Sequence, residues 1–295
     1  MSEIKTAING NVPAVTRFAP SPTGHLHLGH AYSALFAAAA GQGAGGSFLV
    51  RIEDIDAGRC RTEFEDSILE DLRWLGLEWE TPVRRQSECM DDYAGALEKL
   101  HEMDLLYPCF CTRKDIREEI ERAGDAPHGP DGPVYPGICR GIDAAMREDR
   151  MANGETFALR LDIGKALSIS GPLTWIDHGR YEKEGAVAAD LSVFGDVVLA
   201  RKDIPTSYHL ACTIDDHLQG VTLVTRGEDL FAATHVHRLL QRLLDLDTPQ
   251  YHHHGLIKNE HGERLAKRDK SLTIRALREV GKNPEDVRKM AGIQR

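Results

Sequence analysis

No run of apolar residues in this sequence is long enough to cross a bilayer, so no helical membrane span and no membrane partner is expected. The opening MSEIKTAINGNVPAV lacks the basic-then-apolar layout of a secretion signal, and the expected compartment is the cytosol. Cysteine is scarce. Six residues, two of them in a CxC pair, suit a reducing compartment and metal binding better than a disulfide framework. No G-x-x-x-x-G-K-[ST] occurs, which excludes nucleotide use through a P-loop. The one dinucleotide-type match, Gly41, Gly43 and Gly46 in GQGAGG, follows a helical stretch and precedes a strand. That fingerprint needs the reverse order, so the match reads as a flexible helix-to-strand loop. What is present is 41% hydrophobic and 28% charged residues over 295 positions, a folded chain of one large domain or two ordinary ones.

Charge is unevenly placed. From Lys258 to Arg295 eleven Lys/Arg face six Asp/Glu, so this end carries +5 and the remainder −15 of the net −10. An acidic body with a basic end can hold a polyanion locally and repel it elsewhere; a solvated helical face explains the same charges.

Residues 14–18 read as a short strand entering a Pro/Gly turn, and His30 to Ala40 as an alanine-rich helix stopped at Gly41. SFLVRIED (47–54) is the next strand, and 63–75 has helical spacing through Phe64, Ile68, Leu72 and Leu75. Strand–helix–strand–helix predicts an α/β fold with a Rossmann-type parallel sheet. The rhythm breaks near Tyr107, where two cysteine clusters flank the loop-like AGDAPHGPDGPVYPG. Strand-like alternation resumes at 156–164 and 196–203, and 206–246 returns to α/β character. The simplest account is one sheet split by an insertion. The catalytic halves are then 1–105 and 206–256, the inserted subdomain 106–205, and a short helical stub follows at 257–295.

RFAPSPTGHLHLGH (17–30) places His25, His27 and His30 where a loop becomes a helix. Zinc ligation would want a nearby carboxylate or cysteine. A helix start instead offers unpaired N–H groups and positive potential, which suits phosphate, and two imidazoles beside it can donate to charge developing during transfer. Plain helix capping is the alternative. Among the cysteines, Cys109 and Cys111 (CxC) and Cys139 are spaced as structural zinc ligands across a loop, with Tyr135 left open. Cys60, Cys89 and Cys212 are isolated and read as ordinary thiols. YHHHG (251–255) alternates faces if it is a strand, which argues against a metal site and for an exposed approach to the following loop.

RFAPSPTG leading into H-x-G-H resembles the class I aminoacyl-tRNA synthetases, specifically their glutamyl branch, and RLAKR (264–268) resembles the second, lysine signature of that family. The resemblance covers most of the chain. It implies that His27, Gly29, His30 and Lys267 hold ATP together with Mg²⁺, with the two histidines and Lys267 acting during adenylate formation. It also implies an L-glutamate site formed by Arg17, Phe18, Ala19, Pro20, Ser21, Glu53, Tyr208 and Arg226. In physical terms a dicarboxylic amino acid needs two cationic clamps and one anionic contact, and arginine's planar fork suits carboxylate. CxC…Y-x3-C (Cys109, Cys111, Tyr135, Cys139) resembles the zinc pattern of the glutamyl-queuosine tRNA(Asp) synthetases. Only 27 residues follow Arg268, against about 100 or more for an anticodon-reading domain. The pattern thus resembles the truncated paralogue, whose partner is tRNA(Asp) bearing queuosine. One departure stands out: Arg264 and Ala266 replace the first lysine and the serine of the lysine signature.

Overall fold

The chain alternates strand and helix from its first described element. β1 (Val15–Phe18), α1 (Leu28–Gly43), β2 (Ser47–Ile52), α2 (Thr62–Trp74), β3 (Glu80–Arg85) and α3 (Met90–Glu102) form the first part. β4 (Leu106–Cys109), α4 (Arg113–Ala123), β5 (His128–Gly129), β6 (Gly132–Pro133), α5 (Ala144–Ala152), β7 (Ala158–Leu161), α6 (Ile163–Ser170), β8 (Thr174–Asp177), β9 (Gly185–Ala188) and β10 (Val198–Ala200) follow. α7 (Tyr208–Leu218), β11 (Leu223–Gly227), α8 (Ala233–Leu243), β12 (Gln250–His254), α9 (Ile274–Glu279) and α10 (Pro284–Met290) complete the order. The computed structural model describes residues 13–43, 45–123, 128–130, 132–179, 185–257 and 273–293.

α1 buries Leu28, Ala31, Ala34, Leu35, Ala37, Ala38 and Ala40, more than one face of the helix, because small side chains let it lie close to β1, β2 and β11. The helix runs on through Gly41, so that glycine is not its stop. A Cβ there would meet Ser47 O and Thr16 Oγ1, each at 2.6 Å. Close approach, not termination, requires the glycine. The strand expected to run to 164 ends at Leu161, because Asp162 caps α6 by accepting from the Lys165 N–H at 3.1 Å.

β1, β2 and β3 form one parallel sheet, and β11, β12 and β8 form a second, with β9 antiparallel on its edge. The expectation of a single sheet through 15–53 and 206–226 is corrected here. The two parallel sheets meet along β1 and β11, where Thr222 N–H donates to Val15 O at 3.0 Å and Val15 N–H to Thr222 Oγ1 at 2.9 Å. Farther along, the Arg17 guanidinium takes Thr225 O at 3.2 Å, so a side chain stands where the backbone ladder would continue. Thr174–Asp177 and Gly185–Ala188, inside the span read as the insertion, supply β8 and β9 to this second sheet.

Within the span read as the insertion, β10, β7 and β4 form an antiparallel sheet. It packs in two directions: Leu106, Leu161 and Leu199 share one cluster with Leu210, Leu239 and Leu240 of α7 and α8, while Tyr107, Cys109, Phe110, Tyr135 and Cys139 form a smaller cluster of their own. α9 and α10 return to α1 and α2 through Ile274, Leu277, Val287 and Ala291, and Arg278 clamps Asp71 at 2.9 Å and Glu70 at 2.6 Å. No helix among the described residues is long and apolar enough to cross a membrane.

Candidate active site

The loop between β1 and α1 sets the histidines. Gly29 N–H donates to His27 Nδ1 at 3.1 Å, and His27 N–H donates to His30 Nδ1 at 3.2 Å. The two rings stack at 3.7 Å between centroids. Because both Nδ1 atoms accept, each neutral ring carries its proton on Nε2, as a donor. Capping and donation thus coexist: the nitrogen that caps the helix forces the other to be an N–H. A Cβ on residue 29 would sit 3.0 Å from His27 Cε1 and press on the ring that Gly29 holds. His25 goes elsewhere, with Nδ1 2.9 Å from Ser67 Oγ and its ring edge-on to Phe64. The three histidines do not converge. His27 also bridges to Thr273, and Ile274 N–H donates to Leu26 O at 2.8 Å, so the stub is tied to the histidine turn. Lys267, with Arg264 and Ala266, lies outside the described residues.

Arg17, Glu53, Tyr208 and Arg226 are brought into one electrostatic neighbourhood: Tyr208 feels Arg226, Glu53 and Arg17, and its burial suppresses ionisation of the phenol. Phe18 is not part of it. Strand alternation turns Phe18 into the core beside α1, with Thr16, while Arg17 faces the other way. Pro20 O accepts the Glu53 N–H at 3.0 Å, Ser21 lines the cleft described below, and Ala19 is half-buried between them.

Three buried acids and their arginines lie behind the site, of which only Glu53 and Arg17 were expected from sequence. Asp216 accepts from Arg17 Nε at 2.9 Å and from an Arg51 terminal nitrogen at 2.8 Å. Arg51, wholly buried, also donates to Glu53 at 3.3 Å and to Gln219 at 2.9 Å. Asp215 accepts from Arg84 and Gln86 at 2.8 Å and from Tyr93 at 3.0 Å. Burial pushes the Glu53 carboxyl up, partly offset by Arg51 and Arg17. The signal for these residues was present: a lone arginine in the apolar SFLVRI, and two adjacent aspartates in the apolar ACTIDDHL.

Arg226 stands apart from that network. Its fork donates to His253 Nε2 at 3.1 Å, Tyr208 OH at 3.2 Å and Thr234 Oγ1 at 2.6 Å, and lies 3.4 Å from His237 Nδ1. All are neutral acceptors; burial first, then Arg226 itself, drives the His237 pKa far down. Among the described residues no carboxylate pairs with Arg226. Its charge therefore remains to attract an anion. The expected exposure of YHHHG is corrected: His252, His253 and His254 are 9%, 3% and 5% exposed, because β12 is a central strand covered by helices on both sides.

The sulfur atoms of Cys109, Cys111 and Cys139 lie within 4.8 Å of one another. Tyr135 OH sits among them, 3.4 Å from Cys109 Sγ and 3.7 Å from Cys111 Sγ, and it accepts the Cys139 N–H at 2.8 Å. Arg160 covers the Tyr135 ring at 3.8 Å. A cleft of about 960 Å³ joins this region to the first half, lined by Ser21, Glu53 and Tyr208 on one side and Tyr135, Arg160 and Asp196 on the other.

A parallel α/β core thus carries paired histidines at the start of its first helix and a buried arginine with neutral partners near the end of β11. The chain belongs to the family of tRNA synthetases class I (E and Q), catalytic domain, whose model matches residues 13–293. It is 48% identical over 280 residues to the glutamyl-Q tRNA(Asp) synthetase of Rhodobacter capsulatus, covering 95% of this chain and 100% of that one. To the glutamyl-Q tRNA(Asp) synthetase of Nocardia farcinica it is 43% identical over 272 residues, covering 92% of this chain and 81% of that one. A glutamate tRNA ligase of Elizabethkingia meningosepticum, solved in complex with its amino acid, superposes with a TM-score of 0.73 at 29% identity. That match covers 88% of this chain and 52% of the ligase, so the chain spans about half of that solved protein.

Proposed function

We propose that this protein activates L-glutamate with ATP and transfers the glutamyl group to queuosine in the anticodon of tRNA(Asp), in the cytosol. A glutamate carboxylate oxygen attacks the α-phosphorus, pyrophosphate leaves, and a hydroxyl of the queuosine cyclopentenediol then attacks the acyl carbon and releases AMP. The observation that carries the reading is Arg226, a buried cation with neutral partners only, set beyond Glu53 and Tyr208. It suits the side-chain carboxylate of glutamate, with Glu53 as the contact for the ammonium group. Arg17 shares its charge with Asp216, so its role is to balance the α-carboxylate end and hold the sheets together. Ser21 and the backbone from Ala19 to Pro20 edge the same cleft. His27, Gly29 and His30 take the ATP phosphates, with Lys267 as the further cation and Mg²⁺ accompanying the nucleotide.

The test is glutamate-dependent ATP–pyrophosphate exchange followed by transfer to tRNA(Asp) with and without queuosine, and to tRNA(Glu). Exchange plus transfer only to the queuosine-bearing tRNA is expected. Charging of tRNA(Glu), or no exchange, overturns it. The histidine assignment has its own check. His30→Ala loses one preorganised donor and is expected to lower the exchange rate by about 10²–10³, with little change in ATP KM. Unchanged exchange in folded His30→Ala protein counts against it.

Cys109, Cys111, Cys139 and Tyr135 fit a zinc ion: three soft thiolates and one oxygen converge with the spread of a four-coordinate site. Zinc there would fasten the segment before α5 to the end of β4 and take no part in the reaction. We also read 106–161 with 198–200 as the inserted subdomain, around its antiparallel sheet. Elemental analysis is expected to find a single zinc in the protein and to lose it in Cys109→Ser. Metal-free protein purified without chelator refutes the site.

A further inference from the structure

The histidine run of β12 has a use that neither metal binding nor exposure accounts for. β8, β12 and β11 are neighbouring parallel strands with Tyr251 opposite Asp177 and His253 opposite Arg226. Side chains two apart on a strand share a face, as do partners across a ladder, so Asp177, His253 and Arg226 form one row across three strands. All are buried: Asp177 is 0% exposed, His253 3% and Arg226 5%.

The direction of every hydrogen bond in the row is determined. Asp177 is locked, with Oδ1 accepting the Gly179 N–H at 3.0 Å and Oδ2 taking His253 Nδ1. The His253 proton is therefore on Nδ1, and Nε2 is a bare acceptor. Two donors use it: Arg226 Nε–H at 3.1 Å, and the Thr234 hydroxyl at 3.2 Å, which itself accepts from Arg226 at 2.6 Å. Burial holds the His253 pKa below its ordinary value, despite the Asp177 carboxylate, so the ring is neutral. Phe231 meets the ring edge-on at 5.1 Å and Tyr251 stacks beside it at 5.9 Å.

We propose that Asp177 is a positioning residue for Arg226, acting through His253: it fixes the tautomer that aims the guanidinium without neutralising it. The interposed imidazole is the point of the arrangement. A carboxylate at 253 would orient Arg226 equally well but cancel the charge that an anionic substrate needs. A neutral acceptor gives direction and leaves the charge available. This rests on the reading that Arg226 binds the substrate's carboxylate.

The test is Asp177→Asn in the full chain. The carboxamide presents an N–H to Nδ1, moves the ring proton to Nε2 and sets two donors against each other. Glutamate KM in the exchange reaction is expected to rise about 5- to 150-fold, the cost of a buried donor without an acceptor, while ATP KM stays near wild type. His253→Gln, whose carbonyl accepts from Arg226 while its amide donates to Asp177, is expected to retain near-normal glutamate KM, and His253→Leu to behave as Asp177→Asn. If Asp177→Asn fails to fold, the Gln and Leu pair carries the same contrast. Equal effects of Gln and Leu, or an Asp177→Asn variant with unchanged glutamate KM, overturn the proposal. Arg226→Ala separates the two levels. If it leaves glutamate KM unchanged, the binding reading and the proposal both fail. If it raises glutamate KM and Asp177→Asn does not, only the positioning role fails.

Discussion

Arg226→Ala is expected to raise the glutamate KM by about 30- to 4,000-fold while leaving the ATP KM close to wild type, as follows from a cost of about 2–5 kcal/mol for breaking a buried charge contact. The asymmetry between substrates is the informative part. Arg226 makes its contacts at the inner end of β11, whereas His27 and His30 lie at the start of α1, after β1. An interaction made equally with bound substrate and transition state appears in KM, not kcat. Folding should tolerate the change, because the partners left behind are neutral, and His253 and Thr234 keep each other and Asp177. Arg17→Ala differs in this respect, since it leaves Asp216 facing Arg51 alone and must cost stability too. Pyrophosphate exchange at varied glutamate and fixed ATP, then the reverse, measures both constants. Equal changes in the two would remove Arg226 from the amino-acid site.

Asp216→Ala is expected to lower the melting temperature by about 6–20 °C, from about 3–5 kcal/mol for removing one member of a buried ionic network. Two guanidiniums, Arg17 and Arg51, lose the carboxylate they share, and Arg51 has no exposure through which water can replace it. The network also joins the two sheets: Arg17 is on β1, Arg51 on β2 and Asp216 on α7, directly before β11. pH offers an independent check. Burial works against ionisation of Asp216, yet Arg17 and Arg51 outweigh it and hold the carboxyl below its ordinary range. A carboxyl with a depressed folded-state pKa contributes stability that is complete above its unfolded value, about 3.9, and is lost as pH falls through the folded value. Wild-type melting temperature should therefore drop below about pH 4 more steeply than that of Asp216→Asn. Calorimetry from pH 7 to 3 compares the slopes; identical slopes would show that Asp216 contributes nothing to acid stability.

Much of the local structure was legible because its causes are local. β1, α1, β2 and α2 follow from alternation, alanine propensity and helical spacing over short windows, none of which needs a distant partner. Gly29 and His27 were readable as a unit for the same reason: two residues apart, they share one helix turn. The cysteine and tyrosine set was readable in chemistry but not in geometry, since Tyr135 and Cys139 reach the thiols of Cys109 and Cys111 only by tertiary contact.

By itself, the sequence determined the parallel α/β class, the histidine turn and the CxC and Y-x3-C pairs, because each resides in residue types at short spacing. Tertiary structure alone decided what each charge faces. Arg17 and Arg226 are equivalent as letters, yet packing gave Arg17 the Asp216 carboxylate and gave Arg226 only neutral acceptors. It also turned Phe18 into the core, buried the YHHHG strand, and drew β8 out of the inserted span to stand beside β12. The physical reason is the same in each case. Charge compensation and strand neighbourhood depend on segments far apart in sequence meeting in space, such as Arg51 with Asp216 or Asp177 with His253, and no periodicity along the chain records which of them meet.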